Sequence, residues 1–225
     1  MADSPRTAVI FDLDGTLVDS TFQHVAAWRD AFAAVGAPAP QWRIHRRIGM
    51  GSEELVRGVL RETGREVRED LVERLLDEHK QRYAEERATV EPLPGSRELL
   101  EALTAAGVPW VIATSDHADS ARETIALLGL SGDQALVSGD DVDTSKPDPA
   151  ILEAAAGLVG APLGGCFVVG DAVWDVRAAR RAGALGVGLR TGGVSAEEFL
   201  RAGAYAAYDD APGLLAKLDE LGVQG

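Results

Sequence analysis

Apolar residues gather into five short runs without helical period, at 8–11, 110–113, 135–137, 166–169 and 185–189, and most are rich in β-branched side chains. Such runs predict buried strands. Between most of them, 96–106, 119–128, 150–159 and 176–182 read as amphipathic helices. Strand and helix in alternation predict βαβ units and a parallel sheet covered on both faces. Four runs give way at once to polar residues: Asp12-Leu13-Asp14, Thr114-Ser115-Asp116, Gly139-Asp140-Asp141 and Gly170-Asp171. In open parallel sheets ligands bind beyond the carboxyl ends of the strands, so these endings are expected to converge on one crevice.

One connection breaks the rhythm. A parallel crossover needs about a dozen residues, yet nearly one hundred separate Asp12 from Trp110. Helical patterns fill 22–35, 53–62 and 71–86, and Pro92-Leu93-Pro94-Gly95 closes the stretch. A helical domain over 20–90, inserted after the first strand and lying above the crevice, follows from this. The α/β core then comprises 1–19 and 91–225.

Charge and cysteine content narrow the classes. The 225 residues carry 22 Lys and Arg against 36 Asp and Glu, a formal net charge of −14. Long-range repulsion argues against nucleic acid polymers and anionic membranes as partners, whereas a small anionic substrate stays open if a local cation reverses the field in one cleft. Cys166 is the single cysteine, so no intrachain bridge forms and a reducing compartment is the simplest setting. Residues 1–6 are short and polar, and no apolar run reaches the roughly 20 residues that span a bilayer. A soluble cytoplasmic protein is expected, and a monomer, since a capped site needs no partner subunit.

The strand endings carry the chemistry. Asp12-Leu13-Asp14-Gly15-Thr16 puts two carboxylates two residues apart at a turn that glycine permits. Carboxylates that close repel unless they share a proton or a divalent cation, and a carboxylate is a usable nucleophile toward phosphorus. Gly170-Asp171-Ala172-Val173-Trp174-Asp175 adds acidic oxygens. This donor set suits Mg2+, a hard cation that keeps water and substrate phosphate among its ligands. Thr114 and Ser115 offer hydroxyl donors, and Lys146 brings a cation to the turn Ser145-Lys146-Pro147-Asp148-Pro149. Asp175 also suits the N-cap of a helix starting at Val176. Asp140 and Asp141 fit a solvated turn better than a site.

With these four motifs in order over nearly the whole chain, the sequence resembles the haloacid dehalogenase-like (HAD) hydrolase superfamily. The long insertion is similar to the helical cap of its phosphoglycolate phosphatase and β-phosphoglucomutase branch. The resemblance implies a Rossmann-like sheet with an all-α cap, and a Mg2+-dependent phosphatase of a small phosphorylated metabolite. It also implies roles: Asp12 the nucleophile that becomes an aspartyl-phosphate, Asp14 the general acid and base. Asp12, the main-chain carbonyl of Asp14 and Asp171 would hold Mg2+, with Asp175 in support. Thr114, Ser115 and Lys146 would bind the phosphoryl group.

In the insertion, His24 and Trp28 resemble the hinge and first cap helix of β-phosphoglucomutase-like members, which favours a hinge or cap-core role over chemistry. Arg46 and Arg47 lie in the one basic stretch, 43–47, where the resembling branch has a loop that inspects substrate; a solvated face is the competing reading. Lys80 beside Tyr83 resembles a cap lysine of the mutases, and Glu78, Glu85 and Glu86 make an ion-pair face equally good. His117 suits the site rim or the surface, while His45 and His79 show no site signal. A phosphosugar mutase is the alternative, though it would favour a Glu-Asp pair at the fourth motif. Asp14 argues against a dehalogenase, Lys80 alone does not establish phosphonate hydrolysis, and the filled motif positions argue against a catalytically silent scaffold.

Overall fold

The computed structural model describes residues 7–130 and 134–222; the polar start at 1–6 lies outside them. Six parallel strands form one sheet in the order β5 (Leu136–Val137), β4 (Trp110–Ala113), β1 (Ala8–Phe11), β6 (Cys166–Gly170), β7 (Leu185–Leu189) and β8 (Ala206–Tyr208). β1 lies in the middle, with Ile10 in register with Val111 on one side and Val168 on the other.

Side chains of a strand alternate between faces, and both faces of β1 are covered. Val9 and Phe11 join a core with Ile112, Val169, Leu99 and Leu214, supplied in part by helices α5 (Ser96–Ala105) and α10 (Ala211–Leu215) and bordered by α6 (Ala118–Leu127). Ala8 and Ile10 join the opposite core with Ile151 and Ala155 of α7 (Ala150–Val159) and Ala178 and Ala179 of α8 (Val173–Ala182). This is why the strands read as unbroken apolar runs.

Four helices lie between β1 and β4 in the chain: α1 (Thr21–Ala34), α2 (Gln41–His45), α3 (Ser52–Glu62) and α4 (Glu69–Glu86). They share a third core of their own, built on Trp28, Phe32, Ile44, Leu55, Val59 and Leu75. Where the chain leaves and rejoins the sheet layer, β2 (Val18–Asp19) pairs antiparallel with β3 (Glu91–Pro92), Val18 opposite Pro92 and Asp19 opposite Glu91. The two connecting strands are therefore tied into one ribbon, and Pro92 is tolerated because it sits on an edge.

Several elements differ from the sequence reading. β8 and helix α9 (Ala196–Ala202) were not predicted, nor were α2, α10 and the β2–β3 ribbon. β8 is half-buried and alanine-rich, which leaves no strand signature. α9 carried a legible start: Ser195 caps it by accepting the Glu198 N–H, with the Glu198 carboxylate turned back on Ser195. α8 begins at Val173, so Asp175 is the third helical residue and not the N-cap; its Oδ2 accepts the Ala172 N–H at 3.1 Å. No helix among the described residues is long and apolar enough to cross a membrane.

Ile10 is fully buried at the centre of the sheet. Ile10→Ala is expected to lower unfolding free energy by about 2–5 kcal/mol, read as a lower urea midpoint; an unchanged midpoint would remove the central strand from the stabilising core.

Candidate active site

Four strand ends and one loop meet at the carboxyl edge of the sheet. Asp12 follows β1 directly, its N–H bonded to Val169 O of β6 at 2.9 Å, which fixes its backbone between two central strands. Lys146 reaches in from the loop before α7 and is buried. Its Nζ donates to Asp12 Oδ1 at 2.5 Å and to the Ala113 carbonyl at 3.1 Å, and pairs with Asp175 Oδ1 at 2.8 Å. The first two are hydrogen bonds and the third is an ion pair by distance, so the ammonium is held from three sides. Asp171 stands beside them, accepting from Thr16 Oγ1 at 3.3 Å and Thr21 Oγ1 at 3.1 Å.

Two glycines make room for that carboxylate. Gly15 turns at φ 76°, open to glycine above all, and a Cβ there would collide with Thr21 Oγ1 and Asp171 Oδ2. A Cβ on Gly192 would strike Asp171 Oδ2 as well.

Oxygens of Asp12, Asp171 and Asp175 lie within 4.8 Å of one another, all three residues buried. Burial pushes the Asp12 carboxyl up to about 7, with Lys146 opposing the rise and Asp175 adding to it. Burial drives Asp171 well upward, and Asp12 and Asp175 drive it further. Three acids this close are not neutralised by one lysine. The donor set, hard oxygens with a surplus of negative charge in a dry site, fits a divalent metal ion.

Asp14 faces the helical side. Its Oδ1 accepts from Ser20 Oγ at 2.7 Å and lies 3.4 Å from His24 Nε2. Burial would raise this carboxyl, but the hydrogen bonds and charge of His24, with Ser20, hold it below its ordinary value. His24 is correspondingly raised by Asp14 against the effect of burial.

Above these groups lies a cavity of about 710 Å3 between the sheet and the helices. Asp12, Asp14, Thr114 and Ser115 form its floor, and Trp28, His79, Lys80 and Tyr83 belong to its helical wall. Thr114 Oγ1 accepts the Asp116 N–H, while Ser115 Oγ is shielded from solvent without a hydrogen-bond partner and so is ready to bond a ligand. Lys80 forms no ion pair among the described residues; Glu78 is taken by Arg82 instead.

The two arginines of the basic stretch are placed elsewhere. Arg46 pairs with Glu198 at 2.5 Å and Arg47 with Glu62 at 2.6 Å, and neither borders the large cavity. Arg46 spans from the helical layer to α9, where His45 Nε2 also meets Gly192 O at 2.8 Å and Trp174 Nε1 donates to Arg46 O at 3.2 Å. Asp140 pairs with His117 Nδ1 at 2.7 Å and accepts the Ala118 N–H, and both side chains border the large cavity at its exposed rim; Asp141 accepts from Ser138. His24 does more than pack inside the helical layer, since it reaches Asp14. The sequence reading also passed over His79, whose signal was positional: His24 with Trp28 on α1 and His79 with Tyr83 on α4 are both spaced i, i+4, each pair on one helix face.

A family model described as haloacid dehalogenase-like hydrolase matches residues 7–183. A phosphoglycolate phosphatase of Xylella fastidiosa is 36% identical over 182 residues, 80% of this chain and 77% of its own length. An N-acetylmuramic acid 6-phosphate phosphatase of Pseudomonas aeruginosa is 31% identical over 194 residues, 85% of this chain and 84% of its own. A solved hydrolase from Pseudomonas syringae superposes with a TM-score of 0.93 at 45% identity, covering 96% of this chain and 99% of that one.

A ligand that binds only the folded chain stabilises it by about 2.7 kcal/mol at one hundred times its Kd. A divalent cation at that excess is expected to raise the thermal midpoint of the native protein and to lose the effect in Asp171→Ala. Equal rises in both would take the cation away from this cluster.

Proposed function

Because the chain belongs to the haloacid dehalogenase-like hydrolase family and is a phosphatase, we propose that it hydrolyses a small phosphorylated metabolite through an aspartyl-phosphate on Asp12. The observation that carries this reading is Asp12 itself. It is clamped by Lys146 Nζ at 2.5 Å, grouped with two further buried carboxylates, and open to the floor of a cavity of about 710 Å3.

In the first step an oxygen of Asp12 attacks phosphorus, and the bond to the leaving oxygen breaks. Lys146 holds the Asp12 carboxylate in position and spreads positive charge toward the reacting oxygens. Ser115 Oγ and groups of the Thr114 segment bond the phosphoryl oxygens. The leaving oxygen takes its proton through Asp14, with His24, whose Nε2 lies 3.4 Å from Asp14 Oδ1 and which is held in its charged form by that carboxylate, as the source of the proton. In the second step Asp14 accepts a proton from water as that water attacks phosphorus and frees Asp12. Asp12, the Asp14 carbonyl and Asp171, with Asp175 in support, would hold a metal ion, in this reading Mg2+, which would supply positive charge against the phosphoryl oxygens.

The division into a core of residues 1–19 and 91–225 and a cap of 20–90 belongs to the same reading. The cap helices roof the cavity, and the β2–β3 ribbon is the place where the cap moves against the core to exchange substrate. The same reading takes the protein as a monomer in the cytoplasm, where Cys166, a buried thiol, stays reduced.

Asp12→Asn is expected to abolish phosphate release from every ester offered; residual metal-dependent turnover would remove Asp12 as nucleophile. Asp14→Asn is expected to lose about 10²-fold or more in kcat/KM on alkyl phosphates, whose leaving oxygen needs a proton, and far less on p-nitrophenyl phosphate, whose leaving group does not. An equal small loss on both would contradict the acid role. These are read by inorganic phosphate release over a panel that includes phosphoglycolate and sugar phosphates.

A further inference from the structure

We propose that His79 is a positioning residue for the phosphatase reaction, acting through His24 to set the direction in which Asp14 is held. His79 stands on α4 and His24 on α1, and their rings meet edge to edge: His24 Nδ1 lies 3.3 Å from His79 Nε2, while His24 Nε2 lies 3.4 Å from Asp14 Oδ1. The inference rests on Asp14 serving as acid and base.

Stacking alone does not define this geometry. Tyr83 packs flat on His24 with ring centroids 3.8 Å apart, and Trp28 packs flat on His79 at 3.9 Å. Flat stacking fixes the plane of a ring but is nearly indifferent to a half-turn about the ring's own axis, which would present carbon in place of Nε2 to Asp14. A hydrogen bond on the opposite nitrogen removes that freedom, because two facing ring nitrogens attract only when one carries a proton and the other does not. His79 supplies that bond from outside the reacting groups. It is itself fixed against Trp28, a side chain only 2% exposed in the helical core, so the orientation of His24 is anchored in the packing of α1 against α4. Burial and the nearness of His24 hold His79 well below the ordinary imidazole range, consistent with a neutral ring that has one nitrogen free to accept.

The test compares His79→Phe, which keeps a ring over Trp28 and removes both nitrogens, with His79→Gln, which retains a polar atom near the Nε2 position. Phenyl and p-nitrophenyl phosphate have similar shapes but leaving groups of different basicity. His79→Phe is expected to lower kcat/KM, which reports transfer of the phosphoryl group to Asp12, about tenfold on phenyl phosphate, part of the 10²–10⁴-fold range of general acid catalysis, and less than about threefold on p-nitrophenyl phosphate. His79→Gln is expected to recover most of the loss. The double variant His24→Phe/His79→Phe is expected to be no worse than His24→Phe alone, since one residue acts through the other.

Equal losses on both esters, no loss, or losses that multiply in the double variant would overturn the inference. Should His79→Phe fail to fold by circular dichroism, His79→Asn decides the matter against His79→Gln: its shorter amide does not reach the Nε2 position, so equal kcat/KM in the two overturns the proposal. Asp14→Asn run alongside separates the two claims. Full activity of Asp14→Asn on phenyl phosphate would remove the acid and base reading itself, whereas an impaired Asp14→Asn with silent His79 variants removes only His79.

Discussion

One buried ammonium organises the carboxyl edge of the sheet. Lys146 joins Asp12 after β1 to Asp175 in the first turn of α8 and to the carbonyl that ends β4. Isolated, each of these charges would be costly in so dry a place; together they offset one another and fix three elements at a common point. Asp171 then has its place decided by what is left, between two threonine hydroxyls and two glycines that have no side chain to offer. The uncompensated negative charge is what gives the site its appetite for a metal ion and, through it, for phosphate. The chain's overall charge of −14 is thus compatible with an anionic substrate, since the field that substrate meets is local.

The second half of the site hangs from the helical layer. Asp14, two residues beyond Asp12, turns away from the lysine toward Ser20 and His24. One carboxylate is held by the sheet and the other by α1, so their environments push them apart: Asp12 upward by burial, Asp14 downward by its hydrogen bonds. For the proposed reaction Asp12 would need a bound cation to ionise, whereas Asp14 would need His24 to supply its proton. In the proposed reaction the position of the helices is part of the chemistry, because α1 carries His24 and α4 carries the residues that pack on it.

Much of this was legible in the chain. Strand runs with polar endings located Asp12, Asp14, Thr114, Ser115 and Asp171 at one edge, because burial on both faces leaves a continuous apolar signal that stops where the sheet stops. The excessive gap after β1 marked the helical insertion. What escaped has a common cause: it depends on pairings between distant segments. His24 and His79 are 55 residues apart and meet only because α1 packs on α4. Arg46 and Arg47 in their basic run fitted either a solvated face or a substrate contact, and their actual partners Glu198 and Glu62 lie 152 and 15 residues away. β8 and the two-residue ribbon carry too few apolar positions for a period to register.

The proposed reaction turns on Asp12 receiving the phosphoryl group. Acid quenching during rapid turnover of p-nitrophenyl phosphate, followed by peptide mass spectrometry, tests it most directly. The account predicts a phosphoryl adduct on Asp12 that disappears as turnover ends. An adduct on any other residue, or a complete turnover with no label ever present on Asp12, would contradict it.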